Sequence, residues 1–325
     1  MKLHSAVLSL VAVLTFPAFG QAPGVEIFDQ SRGGLSRESK LLSVQAEKIA
    51  EDGGFLSLEK TNELIKNPTY FEVNLPAAKT VPLHSTAIAK LARQSHYRVG
   101  WTYLCPTCDK WHTKLAGGYA VTADGVIATC AHVIDKKELK MREGSLIAVD
   151  HTGKIFPITT VIANDKAMDG ALLKIDAETV ALPFNDNVSP GDDAFCFSRP
   201  LNHGQYFSEG IVNRFFWSTS SRKRDESSIK ALRSLKMNVS SRWAPGSSGS
   251  AVLDQFGNTI GHVALISNLG QPRPGAKKGD PRQDMITLHT AIPARAMTAL
   301  AKSAVDHPKD AVEVKEEVKE EMLSE

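Results

Sequence analysis

From Tyr97 onward the chain is written in short runs of Val, Ile, Phe and Thr, interrupted every few residues by Gly, Asp, Asn or Pro. Residues 118–121, 126–129, 146–149, 171–175, 194–197, 210–216, 251–253 and 259–266 are such runs. Runs this short are strands rather than helices, and many short strands with a turn signal after each predict an all-β fold, a sandwich or a barrel. Asp124-Gly125 and Phe256-Gly257-Asn258 are the sharpest turns, since Gly and Asn supply the left-handed backbone that tight turns need. The flanks differ. Residues 36–66 place Leu41, Leu42, Val44 and Ile49, then Leu56, Leu58, Leu64 and Ile65, at helical spacing, with Gly53-Gly54 as the break. Residues 74–83 are rich in Pro and Ala and read as a linker, a short helix follows over 85–94, and 292–303 read as an amphipathic closing helix.

The first twenty residues are of another kind. Lys2 and His4 precede an apolar run over 6–16, then Pro17 and the small residues Ala18 and Gly20. That run is too short to cross a hydrocarbon core of about 30 Å, so the segment reads as an export signal cleaved before Gln21 or after Ala22, with an uncleaved anchor as the alternative. The expected organisation is a signal over 1–20, a helical and linker leader over 21–85, a main domain over 86–305 and an acidic tail over 306–325. With 42% hydrophobic and 23% charged residues the chain can bury a core. A formal net charge of +2 gives no argument for nucleic acid or a membrane surface as a partner. A phosphate-binding Gly-rich loop and a metal-binding HExxH are both missing, and no second apolar stretch is long enough to span a membrane. The charged cluster at 222–226 sits among serines and reads as a surface loop.

Three short segments carry chemistry. Serine is a poor nucleophile at neutral pH; it needs a base, a group to orient that base, and donors where an oxyanion forms. Ser248 lies in Gly246-Ser247-Ser248-Gly249-Ser250. Gly246 permits a turn that a side chain would hinder, so main-chain N–H groups of Gly246, Ser247 and Ser248 become candidates for an oxyanion hole, chiefly those of Gly246 and Ser248; a plain Gly/Ser-rich turn would look the same. His132 directly follows an apolar strand in Ala128-Thr129-Cys130-Ala131-His132, where a structural histidine is the ordinary occupant. Asp169 enters the apolar run 171–175, and an acid there wants a partner or caps the strand edge.

Taken together these segments resemble the chymotrypsin-like serine peptidases, and most closely their HtrA/Deg-type branch. Residues 129–132 resemble that family's T-A-A-H, with Cys130 for an alanine. Asp169 begins an element like D-[LIV]-A-[LV]-[LI]-K, with Gly170 for the aliphatic residue. Residues 191–200, 208–212, 245–250 and 290–293 are similar to the family's G-D-x-V-x-A-I-G-x-P, S-x-G-I-V, P-G-N-S-G-G and A-I-P elements, in order. The resemblance covers about residues 98–303. It implies two six-stranded antiparallel β-barrels with a C-terminal helix, one catalytic group in each barrel's loops, a His132–Asp169–Ser248 triad, peptide-bond hydrolysis through an acyl-enzyme, protein or peptide substrates and no cofactor. Ser247 stands where digestive enzymes carry an aspartate, so activation by a freshly cut N-terminus is not expected. About twenty residues follow the last helix, too few for a PDZ domain. A module that kept the fold and lost turnover, binding or chaperone-like, is the alternative; an esterase using the same triad is a second, and Ser250 in place of glycine speaks against a GxSxG elbow.

Two further expectations concern specificity and the cysteines. Arg242, six residues before Ser248, falls at the floor of the family's primary specificity pocket, with Trp243 narrowing it and Val263 on the following strand; His262 is offset by one residue and should face away. A basic floor disfavours cleavage after Lys or Arg, unless Arg242 turns to solvent. Export favours a short disulfide between Cys105 and Cys108. A metal knuckle of Cys105, Cys108 and His112 is the weaker alternative, because structural zinc wants a second close-set pair. Cys130 should point into the barrel as a small hydrophobe, and its pairing with Cys196 is left open.

Overall fold

The computed structural model describes residues 31–135, 139–218, 228–271 and 283–303. The signal segment, the cluster at 222–226 and the acidic tail lie outside the described residues. Six strands, β1 (His96–Leu104), β2 (Trp111–Ala120), β3 (Val126–Thr129), β4 (Glu143–Val149), β5 (Ile155–Asp165) and β6 (Gly170–Ile175), close one antiparallel barrel in the order β1-β2-β3-β6-β5-β4. Six more, β7 (Asp193–Ser198), β8 (Tyr206–Trp217), β9 (Leu235–Val239), β10 (Ala251–Leu253), β11 (Thr259–Gln271) and β12 (Gln283–Pro293), close a second as β10-β11-β12-β9-β8-β7. The helices are α1 (Arg32–Glu51), α2 (Leu58–Lys66), α3 (Ser85–Ser95), α4 (Ala131–Ile134), α5 (Ile229–Leu232) and α6 (Ala294–Ser303). Among the described residues no helix is long and apolar enough to cross a membrane.

Each apolar run falls on a strand, with Val121 just past the end of β2. The run in β6 is continuous rather than alternating because both of its faces are buried. Ala171, Leu173 and Ile175 point into the first barrel, whereas Leu172 points into the core between the barrels with Phe195, Leu253, Ile292 and Met297. Gly170, where the family carries an aliphatic residue, makes room for α6: a Cβ there would lie 2.7 Å from Met297 Sδ. The closing helix starts later than the sequence pattern suggests. Ile292 pairs with His262 in the β11–β12 ladder, so Ile292 and Pro293 belong to the strand and the helix begins at Ala294. The strand β5 escapes sequence reading because Pro157 and two register shifts interrupt its alternation.

The leader packs on the barrels. The predicted break is a glycine C-cap: Gly53 has φ +69°, its N–H donates to Ala50 O at 3.0 Å, and Gly54 N–H donates to Ile49 O at 2.8 Å, the paired bonds that end a helix with a left-handed residue. α1 buries Leu42 and Ala46 against Trp111, Ile147, Val149 and Ile155, and α2 lays Leu58, Leu64 and Ile65 on the first barrel. Glu38 of α1 joins the two halves, accepting from Arg98 of β1 at 3.1 Å and from Arg199, just past β7, at 2.9 Å.

Candidate active site

His132, Asp169 and Ser248 are far apart in sequence and are brought together where the two barrels meet. His132 sits in the one-turn helix α4, directly after β3, and its side chain is half exposed. Two anchors fix the turn: Thr129 Oγ1 donates to Gly117 O at 2.7 Å, and the buried Cys130 Sγ donates to Val263 O at 3.1 Å. Cys130 thus fills a small buried niche, where burial pushes its thiol well up and keeps it neutral.

Asp169 closes the tight link from β5 to β6 and has φ +67°, a left-handed conformation that Asp tolerates better than most side chains. The link is heavily braced. Asp169 N–H donates to Asp165 O at 2.9 Å, and the Asp165 carboxylate accepts from Ala167 N at 3.0 Å and Met168 N at 2.9 Å. From the second barrel Arg233 pairs with Asp165 at 2.7 Å and Lys236 Nζ donates to Met168 O at 3.2 Å. The Asp169 carboxylate then receives His132 Nδ1, at 3.0 Å to Oδ1 and 2.9 Å to Oδ2, and the His132 backbone N–H at 3.0 Å. Burial opposes the charge on Asp169, but the hydrogen bonds and the charge of His132 outweigh it and hold the carboxyl below its ordinary value. The same hydrogen bond raises the His132 pKa against the effect of burial. The donor from imidazole to carboxylate is Nδ1–H, which leaves Nε2 as the acceptor in the neutral ring.

Ser248 lies on the loop between β9 and β10. Gly246 has φ +94° and Gly249 φ +82°; a Cβ on Gly249 would fall 2.4 Å from Gly117 O, so the loop needs glycine there for both conformation and space. The loop is pinned to both barrels, with Gly117 N–H donating to Ser248 O at 2.7 Å and Gly249 N–H to Val263 O at 2.8 Å. Ser247 N–H donates to Ala244 O at 3.1 Å, whereas among the described residues the Gly246 and Ser248 N–H groups have no backbone acceptor. Gly246 and Ser248 line a cleft of about 430 Å³ together with His132, Trp101, Leu115 and Leu139. The imidazole hydrogen bonds to Asp169 both run through Nδ1.

Of the specificity candidates, Val263 touches the serine loop and Arg242 lines a second groove. Arg242 is exposed and lines a separate groove with Arg214, Asn238, Ile286 and His289. Its backbone is held by Ser208, whose Oγ accepts from Arg242 N at 3.0 Å and donates to Arg242 O at 2.9 Å. Trp243 is buried edge-on against His289, with Nε1 donating to Leu265 O at 3.3 Å. Val263 is buried and serves the Ser248 loop through its main chain. His262, one residue out of register for the specificity pocket, is fully buried beneath Asp169, its Nε2 at 3.3 Å from Asp169 O. Burial lowers its pKa to about 4, so it is a neutral donor to that carbonyl. Lys236, Arg233 and Asp165 escaped sequence reading, and so did the contact of His262 with Asp169. Only Asp165 carries a local signal, an Asx turn four residues before Asp169.

The disulfide expected between Cys105 and Cys108 is corrected by the structure: all four cysteines are free. The hairpin turn directs the N–H groups of Thr107 and Cys108 at the Cys105 sulfur, and Cys108 Sγ sits 3.1 Å from His112 Nε2. Cys196 belongs to the core of the second barrel, away from the niche of Cys130, and the two do not pair.

Residues 116–261 match the family of the trypsin-like peptidase domain. No curated protein matches the chain. Among solved structures the chain is similar to the HtrA-type protease AlgW with decapeptide, at 18% identity and a TM-score of 0.50, covering 69% of this chain and 68% of that one. The serine endoprotease from Yersinia pestis aligns at 21% identity and a TM-score of 0.47, covering 70% of this chain and 68% of that one. With two closed six-stranded barrels and a C-terminal helix, the chain has the chymotrypsin-like fold, and its residues 116–261 match the trypsin-like peptidase domain.

Proposed function

We propose that this chain is an exported serine endopeptidase that hydrolyses peptide bonds of protein substrates through an acyl-enzyme on Ser248. The observation that carries the reading is the His132–Asp169 pair at 2.9 Å on the rim of the cleft that Gly246 and Ser248 line. In this reading Ser248 Oγ attacks the scissile carbonyl while His132 Nε2 takes its proton. His132 then passes that proton to the leaving amine, and a water, activated by the same imidazole, releases the acyl group. Asp169 keeps Nδ1 as the donor and stabilises the imidazolium. The N–H groups of Gly246 and Ser248 receive the oxyanion, an effect of about 3 kcal/mol per donor. Export rests on the pattern of the first twenty residues. A fluorophosphonate probe tests the reading: it should label the wild-type chain and not Ser248→Ala, and an unlabelled wild type would mark a module without turnover.

The base must be neutral to act, and its pKa is raised above 6.5 by Asp169. The acid limb of kcat/KM should therefore lie above pH 6.5, with activity lost as pH falls through it. In Asp169→Asn the cause of the shift is gone, so the limb should move to lower pH while the plateau falls about 10⁴-fold. An unmoved limb would assign it to another group.

The cleft offers Trp101, Leu115, Ala116, Val133 and Leu139 beside the cation Lys114, and its carboxylate Asp135 is engaged by Lys166 at 3.7 Å. These surroundings suit an apolar side chain before the cut, and cleavage after Lys or Arg should be a minority. Mass-spectrometric profiling of a denatured digest checks this; a majority of cuts after Lys or Arg would refute it.

A further inference from the structure

The β1–β2 hairpin ends in Cys105-Pro106-Thr107-Cys108, and His112 stands at the start of β2. The proposed peptidase chemistry uses none of the three. Cys105 Sγ, Cys108 Sγ and a ring nitrogen of His112 all lie within 4.8 Å of one another. We propose that Cys105, Cys108 and His112 form a binding site for a soft divalent cation of the zinc class, with water in the fourth position.

Thiolate and imidazole are the ligand types that select such cations. Zn–S bonds of about 2.3 Å and Zn–N bonds of about 2.0 Å at tetrahedral angles separate sulfur from nitrogen by about 3.5 Å and the two sulfurs by about 3.8 Å. The distance of 3.1 Å from Cys108 Sγ to His112 Nε2 and the 4.8 Å bound on the set are therefore within about an ångström of a closed site.

The backbone is arranged for a charged sulfur. Thr107 and Cys108 turn their N–H groups toward Cys105 Sγ, the donor arrangement that stabilises anionic sulfur at metal sites. The loop is closed behind them by Cys105 N–H to Lys110 O at 3.0 Å and Asp109 N–H to Cys105 O at 3.2 Å, and Arg142 holds the Asp109 carboxylate in an ion pair. His112 is placed by the ladder opposite Tyr103, with ring centroids 5.8 Å apart. Two residues further along β2, Lys114 enters the cleft, and Gly117 bonds the carbonyl of Ser248. A cation at the hairpin tip would therefore clamp the strand that carries one wall of that cleft.

The full chain, reduced and freed of metal with a chelator, would be titrated with Co²⁺. About one equivalent should produce thiolate-to-cobalt charge transfer and the visible bands of a tetrahedral site, and about one equivalent of Zn²⁺ should bleach them. Cys105→Ser and Cys108→Ser should each abolish the charge-transfer band, and His112→Ala should weaken binding by about tenfold or more. Circular dichroism on the same samples checks that the variants are folded. The proposal is overturned if the reduced wild type shows no thiolate–cobalt band. It is equally overturned if the band survives in the Cys105→Ser, Cys108→Ser double variant, which would place the ion at Cys130, His132 and Asp169. A Cys105–Cys108 disulfide in the protein as purified would also overturn it. Neither a missing band nor a Cys105–Cys108 disulfide touches the peptidase reading, since fluorophosphonate labelling of Ser248 does not pass through the hairpin tip.

Discussion

Ser248→Ala should lower turnover of a peptide substrate by a factor on the order of 10⁶, and His132→Ala should lower it by a similar factor. The two losses should not add. Removing either the nucleophile or its base leaves only binding and the oxyanion donors, so the double variant should be no slower than either single one. The fold should survive. The serine loop is held by its main chain, through Ser248 O to Gly117 and Gly249 N to Val263, and neither bond involves the hydroxyl. His132 is half exposed, and α4 is fixed by Thr129 and Cys130 instead. Steady-state kinetics on a chromogenic peptide, with circular dichroism alongside, make the comparison. Wild-type turnover in Ser248→Ala would dismiss the proposed mechanism outright.

The largest effect on stability should come from a residue remote from the cleft. The Arg98 and Arg199 side chains are each only 10% exposed, and Glu38 pairs with both. Burial and then Arg199 lower the pKa of Arg98 to about 10, while Glu38 works in the opposite direction. Glu38→Ala would remove the carboxylate that both desolvated guanidinium groups share, leaving Arg98 the weaker pull of Asp150. Breaking a buried ion pair from one side costs about 3–5 kcal/mol, and the partial exposure of Glu38 puts this case near the lower end. At about 3 kcal/mol the melting temperature should fall by roughly 10 °C. Thermal unfolding followed by circular dichroism reads this directly, and an unchanged melting temperature would show that the leader helix is not a structural clamp. The same variant should loosen α1 from both barrels at once, because Arg98 belongs to one and Arg199 to the other.

The amino-acid sequence by itself determined the fold class and the candidates for the site, because both are written in local chemistry. Alternation of side chains along a strand, glycine where the backbone turns left-handed and a break at Gly53-Gly54 are properties of a few neighbouring residues. So are the segments around His132, Asp169 and Ser248, whose order and surroundings could be read without knowing what each touches. Where a strand has both faces buried or is interrupted by Pro157, alternation fails, and β5 was not legible for that reason. Only the tertiary structure decided which groups meet across the barrels. His262 under the Asp169 carbonyl, Arg233 and Lys236 bracing the link that carries Asp169, Glu38 between Arg98 and Arg199, and Arg242 on a groove away from Ser248 depend on how two closed sheets are apposed. A long charged side chain reaches several ångströms in any direction, and no periodicity records its destination. Barrel closure chooses the partner, so such contacts exist only once both barrels have formed.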